Sequence, residues 1–229
     1  MLKKHFLFSL TYSVVIGLNL FGEALNNEIL KLISMPLIGI SNILYLLIMT
    51  RLRGSFNLKI FLSLMFAMGG DILLIFDTDN EFFFFTAIIA TFTGYLMAMS
   101  AFYQDTNKEI LKSKNVIFYT SILSITVSTV YFMFLRSHLG DLKIPVLIHF
   151  FILSLLPITA SFRYNSVNST SFSFILASAI CFLISDYSIA YSSFINENTF
   201  FMVLYILAYM LAQYMLVIGT IERKTLTSK

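Results

Sequence analysis

The feature that most constrains this chain is a series of eight apolar runs, each long enough to cross a lipid bilayer. A helix needs about 20 residues to span the hydrocarbon core. The runs follow one another with short connections and cover residues 6–22, 29–49, 58–76, 82–103, 116–135, 144–162, 172–192 and 200–221. The sequence therefore predicts an all-α polytopic bundle of eight transmembrane helices, folded as a single transmembrane domain over residues 1–229.

The composition agrees with a membrane protein. Charged residues make up 12% of the chain, against roughly 25% in ordinary soluble domains. No connection between the runs is long enough to fold separately, so any chemistry must lie among the helices or at their ends. The net charge of +3 is explained by membrane topology, and we expect no nucleic-acid partner.

The distribution of Lys and Arg predicts the orientation, because positive charge near span ends stays in the cytoplasm. With both termini inside, twelve basic residues fall on inner segments and three, Lys31, Arg136 and Lys143, on outer ones. We therefore expect cytoplasmic termini in a multi-pass protein of a bacterial inner (plasma) membrane. The first run could also be a signal peptide. It lacks a clear small-x-small cleavage site, so we expect a retained helix.

Two aspartates lie inside the apolar runs. Asp71 and Asp186 would each cost about 2.5–3.5 kcal/mol at the centre of a bilayer, so such residues usually face the protein interior and are functional. Each lies about 13 or 14 residues into a run that leads outward, or about 20 Å from the inner face at 1.5 Å per residue. The two acids should therefore lie at one level.

Other runs carry polar residues at helical spacing. Tyr205, Tyr209 and Gln213 recur every four residues in the eighth run, and the second run carries Lys31, Ser34, Ser41, Asn42 and Tyr45 on one face. Both faces should point inward. The simpler interpretation of any single Ser, Asn or Tyr is a hydrogen bond between helices.

The motifs and residues that the sequence lacks exclude several kinds of site. The chain lacks G-x-S-x-G, H-E-x-x-H and G-x-x-x-x-G-K motifs, and Cys181, its single cysteine, permits no internal disulfide. Of the three histidines, His5 lies near the N-terminus and His138 in an outer loop. His149 is expected to be a packed polar residue, so we predict neither a metal nor a cofactor. Intramembrane aspartyl proteases need glycine where this chain has Met68.

Two carboxyl groups in a low-dielectric cavity can divide the roles of acid and base, because one keeps its proton while the other ionises. Asp71 and Asp186 are therefore the candidate catalytic residues. The alternative is a small proton-coupled transporter, in which such acids relay protons or bind a cation. The lack of paired Gly/Pro-interrupted helices, a common feature of carriers, favours the enzyme.

Four segments resemble the YhhN-like lysoplasmalogenase family in order and spacing. They are KLISMPLI (31–38), LSLMFAMGGDILLIF (62–76), ASAICFLISDYSIAYSSF (177–194) and YMLAQYMLVIG (209–219). The most specific elements are Gly70-Asp71, Ser185-Asp186 and the segment ending at Gln213. The chain departs from the family pattern at Leu32, where the family tends to have proline, and at Tyr95 and Ala98, where it tends to have a histidine followed by a tyrosine.

The resemblance implies hydrolysis of the vinyl ether bond of lysoplasmalogens to a fatty aldehyde and a glycerophospho-head-group. The lysophospholipid substrate would come from the surrounding membrane lipids. Lys31 is then a candidate for binding the phosphate, with an interfacial anchor as its alternative role, and Tyr209 and Gln213 are candidates for substrate binding. A non-catalytic lipid-binding protein remains the alternative if the departure at Tyr95 matters.

Overall fold

The computed structural model consists of helices that match the eight predicted spans. It describes residues 2–25, 27–75, 81–106 and 114–226. The helices are α1 (Leu2–Ala24), α2 (Glu28–Thr50), α3 (Ser55–Ile75), α4 (Glu81–Gln104), α5 (Lys114–Leu135), α6 (Lys143–Ser161), α7 (Ser169–Phe194) and α8 (Thr199–Ile221). All eight are long and apolar enough to cross a membrane. The prediction of an all-α, multi-pass membrane protein is confirmed.

The helices extend beyond the apolar runs because polar residues at their ends continue or cap them. Asn27 precedes α2 and accepts a hydrogen bond from the Leu30 amide at 3.1 Å, and Asn198 caps α8 through the Phe200 amide at 2.8 Å. These side chains satisfy amides that lack a partner inside the helix. Arg51 ends α2 in the left-handed conformation, with φ of 49°.

Small residues allow close packing of α7 on α8. A Cβ atom at Gly219 would lie 2.7 Å from the Ile175 side chain, so this position requires glycine. The hydroxyls of Ser171 and Ser178 donate to the carbonyl oxygens of Gly219 and Ala212, each at 2.7 Å. Close approach and hydrogen bonding between helices are what hold bundles together where lipid removes the hydrophobic driving force.

The polar faces predicted on α2 and α8 do point into the bundle. Asn42 is fully buried, and its amide nitrogen donates to Gln213 Oε1 at 3.0 Å and to the Tyr12 hydroxyl at 3.1 Å. These bonds join α1 to α2 and α8. The first helix therefore packs as part of the bundle, whereas α5 lies at its edge with most of its apolar side chains exposed.

One end of the bundle is held by a buried ionic group, which we call the arginine cluster and which consists of Asp105, Arg163 and Arg223. Arg163 Nε lies 3.0 Å from Asp105 Oδ2, with both side chains fully buried, and Arg223 binds both carboxyl oxygens. The Phe56 ring lies under both guanidinium groups. Burial lowers the pKa of Arg163 to about 10, which leaves it cationic at pH 7.

The two ends of the described chain meet beside the arginine cluster. Lys4 Nζ lies 2.5 Å and His5 Nε2 3.0 Å from Glu222 Oε1. Beyond α8, Thr225 forms an isolated β-bridge with Val167, and the Lys224 amide donates to Asn168 Oδ1 at 2.8 Å. The start of α1 and the end of α8 therefore lie at the same end of the bundle, as an even number of spans requires.

Candidate active site

Asp71 is turned into the bundle and bound by a tyrosine. It is 9% exposed, and the Tyr209 hydroxyl donates to its Oδ2 at 2.7 Å. Asp71 lies on α3 and Tyr209 on α8, so the contact joins distant parts of the chain. Among the described residues no group donates to Asp71 Oδ1. The carboxyl group is thus fixed through one oxygen while the other remains available.

Gly70 explains how α3 brings Asp71 to this position. A Cβ atom at position 70 would lie 2.8 Å from Thr91 Oγ1 and 3.2 Å from the Ala87 carbonyl oxygen of α4. Gly94 does the same from the other helix, since a Cβ there would lie 3.1 Å from the Ser63 carbonyl oxygen. Two glycines thus let α3 and α4 approach closely, and Gly70-Asp71 places an acid directly beside this contact.

Asp186 is bound by two side chains. The Tyr95 hydroxyl of α4 donates to Asp186 Oδ2 at 2.9 Å, and His149 Nε2 of α6 lies 2.8 Å from the same oxygen. The His149 ring stacks on Phe92 with their centroids 5.1 Å apart. In the described part of the chain Asp186 Oδ1 accepts no hydrogen bond, so this carboxyl group also keeps one oxygen available.

The tyrosines of the two acid–tyrosine pairs, Tyr95 and Tyr209, line one small cavity. Phe182, one turn before Asp186 on α7, makes edge-to-face contacts with Tyr95 at 5.5 Å and with Tyr209 at 6.0 Å. These three rings line a cavity of about 20 Å³ together with Ser63, Leu64, Ala67, Thr91, Gly94, Ala98 and Leu216. A cavity of this size can hold one water molecule.

Of the predicted site residues, the structure brings Asp71, Asp186 and Tyr209 into this region. Gln213 lies one turn further along α8 and is 1% exposed, with its carbonyl oxygen bound by Asn42. Lys31 lies in the second turn of α2, and its side chain is outside the described part of the structure. Substrate binding by Gln213 and Lys31 stays a prediction.

Sequence reasoning undervalued His149 and Tyr95. We expected His149 to be a packed polar residue, but its Nε2 contacts Asp186. Its position inside an apolar run, unlike those of His5 and His138, was the available signal. Tyr95 was noted only as a departure from the family pattern, yet it directly binds an acid. Within the described residues no three His, Cys, Asp or Glu side chains are grouped to hold a metal ion.

The fold and this site define a class of protein: a multi-pass helical membrane protein with two buried, tyrosine-bound aspartates in its interior. A family model describing the YhhN family matches residues 28–220. The chain belongs to the YhhN family. The match includes both aspartates and begins at the first residue of α2, so α1 precedes it. No curated protein and no solved structure matches the chain.

Proposed function

We propose that this protein hydrolyses the vinyl ether bond of lysoplasmalogens, with Asp71 and Asp186 as the catalytic pair. The observation that carries the proposal is the arrangement of two buried carboxyl groups, each with one oxygen bound by a tyrosine that lines the same cavity. Membership of the YhhN family, which is associated with lysoplasmalogenase activity, supports the choice of substrate.

The unequal surroundings of the two acids support a division of roles. Asp186 Oδ2 faces two hydrogen-bonding groups, Tyr95 and His149, whereas Asp71 Oδ2 faces one, Tyr209. Hydrogen bonds donated to a carboxylate stabilise its charged form. We therefore assign Asp186 as the ionised carboxylate and Asp71 as the general acid.

The proposed reaction begins when Asp71 gives its proton to the alkene carbon remote from the ether oxygen. The double-bond electrons form the new C–H bond, and the adjacent carbon becomes an oxocarbenium centre. The Asp186 carboxylate stabilises this cation and takes a proton from the water that adds to it, as in two-carboxylate glycosidases. The product of this step is a hemiacetal.

The hemiacetal then breaks its bond to the glycerol oxygen. Asp186 gives a proton to that leaving oxygen, while the hemiacetal hydroxyl returns a proton to Asp71. The products are a fatty aldehyde and a glycerophospho-head-group, and both acids regain their starting states. The reaction consumes one water molecule and needs no other reactant.

Purified protein should release aldehyde from choline or ethanolamine lysoplasmalogens. Asp71→Asn and Asp186→Asn should each lower release by about 10²-fold or more, and the double variant should be little worse than either, because groups that act together lose their benefit together. Asp141→Asn, at an exposed acid, is the matched control and should keep wild-type activity. Turnover near wild type in either catalytic variant would exclude that residue and favour the carrier hypothesis.

We also propose that the end bearing the arginine cluster is cytoplasmic in a bacterial inner membrane, as the basic residues predict. Alkaline phosphatase fused after Lys229 should then be inactive, whereas a fusion in the connection after α5 should be active. The opposite pattern would reverse the topology.

A further inference from the structure

Ser185 carries a buried hydroxyl group that the proposed reaction does not use. Serine recurs every seven residues along one face of α7, at Ser171, Ser178 and Ser185. The first two donate hydrogen bonds to carbonyl oxygens of α8. Ser185 is 0% exposed, yet among the described residues its Oγ has no hydrogen-bond partner. Because buried hydroxyl groups are normally hydrogen-bonded, this one is available to a ligand.

The register of α7 on α8 places Ser185 at the level of Tyr205. The carbonyl oxygens that the first two serines bind belong to Gly219 and Ala212, which are seven residues apart. A further step of seven along α8 leads to Tyr205, as the same step along α7 leads to Ser185. Ring contacts on either side of this level show that the two helices keep the register. These contacts are Phe182 with Tyr209, 6.0 Å between centroids, and Tyr191 with Phe201, 4.1 Å between centroids.

The hydroxyl group of Tyr205 lies near both acids but binds neither. Its ring stacks on that of Tyr209, one turn away on α8, with the centroids 6.1 Å apart. Its hydroxyl is within electrostatic range of both Asp71 and Asp186. In the described part of the chain this hydroxyl makes no hydrogen bond. Two hydroxyl groups without protein partners, those of Ser185 and Tyr205, therefore lie at one level of the site on neighbouring helices.

This polar level lies on the side of the acids away from the arginine cluster. Tyr205 is in the second turn of α8, whereas the helix ends at Ile221 beside that cluster. In a lysophospholipid with a vinyl ether chain, the free glycerol hydroxyl is separated from the reacting carbon only by the ether oxygen and two glycerol carbons. When the acids contact the vinyl ether, that hydroxyl must therefore lie close beside them, where a small polar subsite can reach it.

We propose that the hydroxyl groups of Ser185 and Tyr205 bind the free glycerol hydroxyl of the substrate and so select lipids with a single chain. A hydroxyl group donates one hydrogen bond and accepts others, so the three hydroxyls can form a continuous chain between α7 and α8. A second acyl chain on this glycerol oxygen would remove its proton and bring a bulky group to a buried position. This inference rests on the proposed function and adds the substrate group that the same site recognises.

The kinetic test removes each hydroxyl separately. Tyr205→Phe keeps the ring on Tyr209, and Ser185→Ala keeps the helix packing. Each should raise KM for lysoplasmalogen by about 3- to 10-fold, the effect of one net hydrogen bond. Since the glycerol hydroxyl takes no part in the reaction, it is bound equally in the ground state and the transition state, and kcat should stay nearly unchanged. Tyr119→Phe removes the same group from an exposed ring of α5. It is the matched control and should keep the wild-type KM.

A substrate analogue identifies what the two hydroxyls bind. In this analogue hydrogen replaces the free glycerol hydroxyl. The wild type should have a higher KM for the analogue, and neither Tyr205→Phe nor Ser185→Ala should raise that KM further, because the contact is already absent. If each substitution instead lowers kcat equally on both substrates, the hydroxyls act on the attacking water and the inference is overturned. An unchanged KM for lysoplasmalogen in both variants would also overturn it.

A binding measurement separates this inference from the proposed function. A lysophospholipid with a saturated alkyl ether chain lacks the vinyl bond, so calorimetry of the protein in detergent measures its binding alone. The wild type should bind this lipid about 3- to 10-fold more tightly than its deoxy form, and the Ser185→Ala, Tyr205→Phe double variant should bind both equally. Equal wild-type affinity for the two lipids, or binding of neither, would overturn the inference. A retained preference without aldehyde release from lysoplasmalogen would reject the proposed function and leave the hydroxyl subsite in place.

Discussion

The arginine cluster and the candidate active site both contain buried aspartate, but the partners of the carboxyl groups differ. Asp105 is fully buried, and two guanidinium groups occupy both of its oxygens. Asp71 and Asp186 are bound through one oxygen each, by tyrosines and a histidine. An acid whose charge is neutralised and whose two oxygens already accept hydrogen bonds is poorly placed to bind or protonate a substrate. Burial alone therefore does not distinguish a candidate catalytic acid, and the available oxygen of each acid is the feature on which the proposed function rests.

The largest effect on folding should come from Asp105→Asn. This change leaves Arg163 buried beside a neutral amide, and breaking a buried ion pair costs about 3–5 kcal/mol. Unfolding of the purified protein in detergent should show that loss of stability, while the activity of the remaining folded fraction should stay near that of the wild type. Asp141→Asn, at an exposed acid, should change stability by less than about 0.5 kcal/mol.

If Asp105→Asn instead abolished turnover without lowering stability, the division between a structural end and a functional interior would be wrong. Substitution of the two acids of the candidate active site tests the same comparison. Asp71→Asn and Asp186→Asn should leave the unfolding transition nearly in place, because neither acid neutralises a buried arginine.

The eight helices could be predicted from the sequence because membrane crossing fixes their length and composition. The inward direction of Asp71 and Asp186 followed from the cost of a charge in lipid. The partners of these acids could not be predicted, because they depend on how each helix is rotated against helices far along the chain. Tyr209 and Gln213 illustrate this limit. They are four residues apart and so differ by about 40° and 6 Å along α8, which is enough to bring one to Asp71 and the other to Asn42.

An intermediate effect is expected where packing rather than charge supports the site. Gly70→Ala would place a Cβ atom 2.8 Å from Thr91 Oγ1 and force α3 away from α4. Such overpacking costs about 1–3 kcal/mol of stability. Because it also displaces Asp71, we expect it to lower kcat as well. Gly69→Ala is a close control, because a Cβ at position 69 meets nothing within 4 Å. Equal behaviour of the two variants would refute the packing explanation of the Gly70-Asp71 pair.

The smallest effect should come from Glu222. This acid lies at the same end of the bundle as the arginine cluster, and it is paired but not fully buried. The hydrogen bond from Lys4 is the main cause that lowers the pKa of the Glu222 carboxyl group, and His5 adds to it. The lowered pKa means that the folded state favours the ionised carboxyl group more than the unfolded chain does. The pair therefore stabilises the folded protein at pH values above the ordinary pKa of glutamate, near 4.3. This stabilisation is lost as the pH falls through the lowered pKa of the folded state. Lys4 is half exposed, so the contribution should stay below about 1 kcal/mol and decrease with salt.

Glu222→Gln should therefore lower the midpoint of thermal unfolding slightly at pH 7 and low salt, and this difference from the wild type should vanish in acid or at high salt. A loss comparable with that of Asp105→Asn would show that the contact between α1 and the end of α8 supports the bundle as strongly as the arginine cluster does.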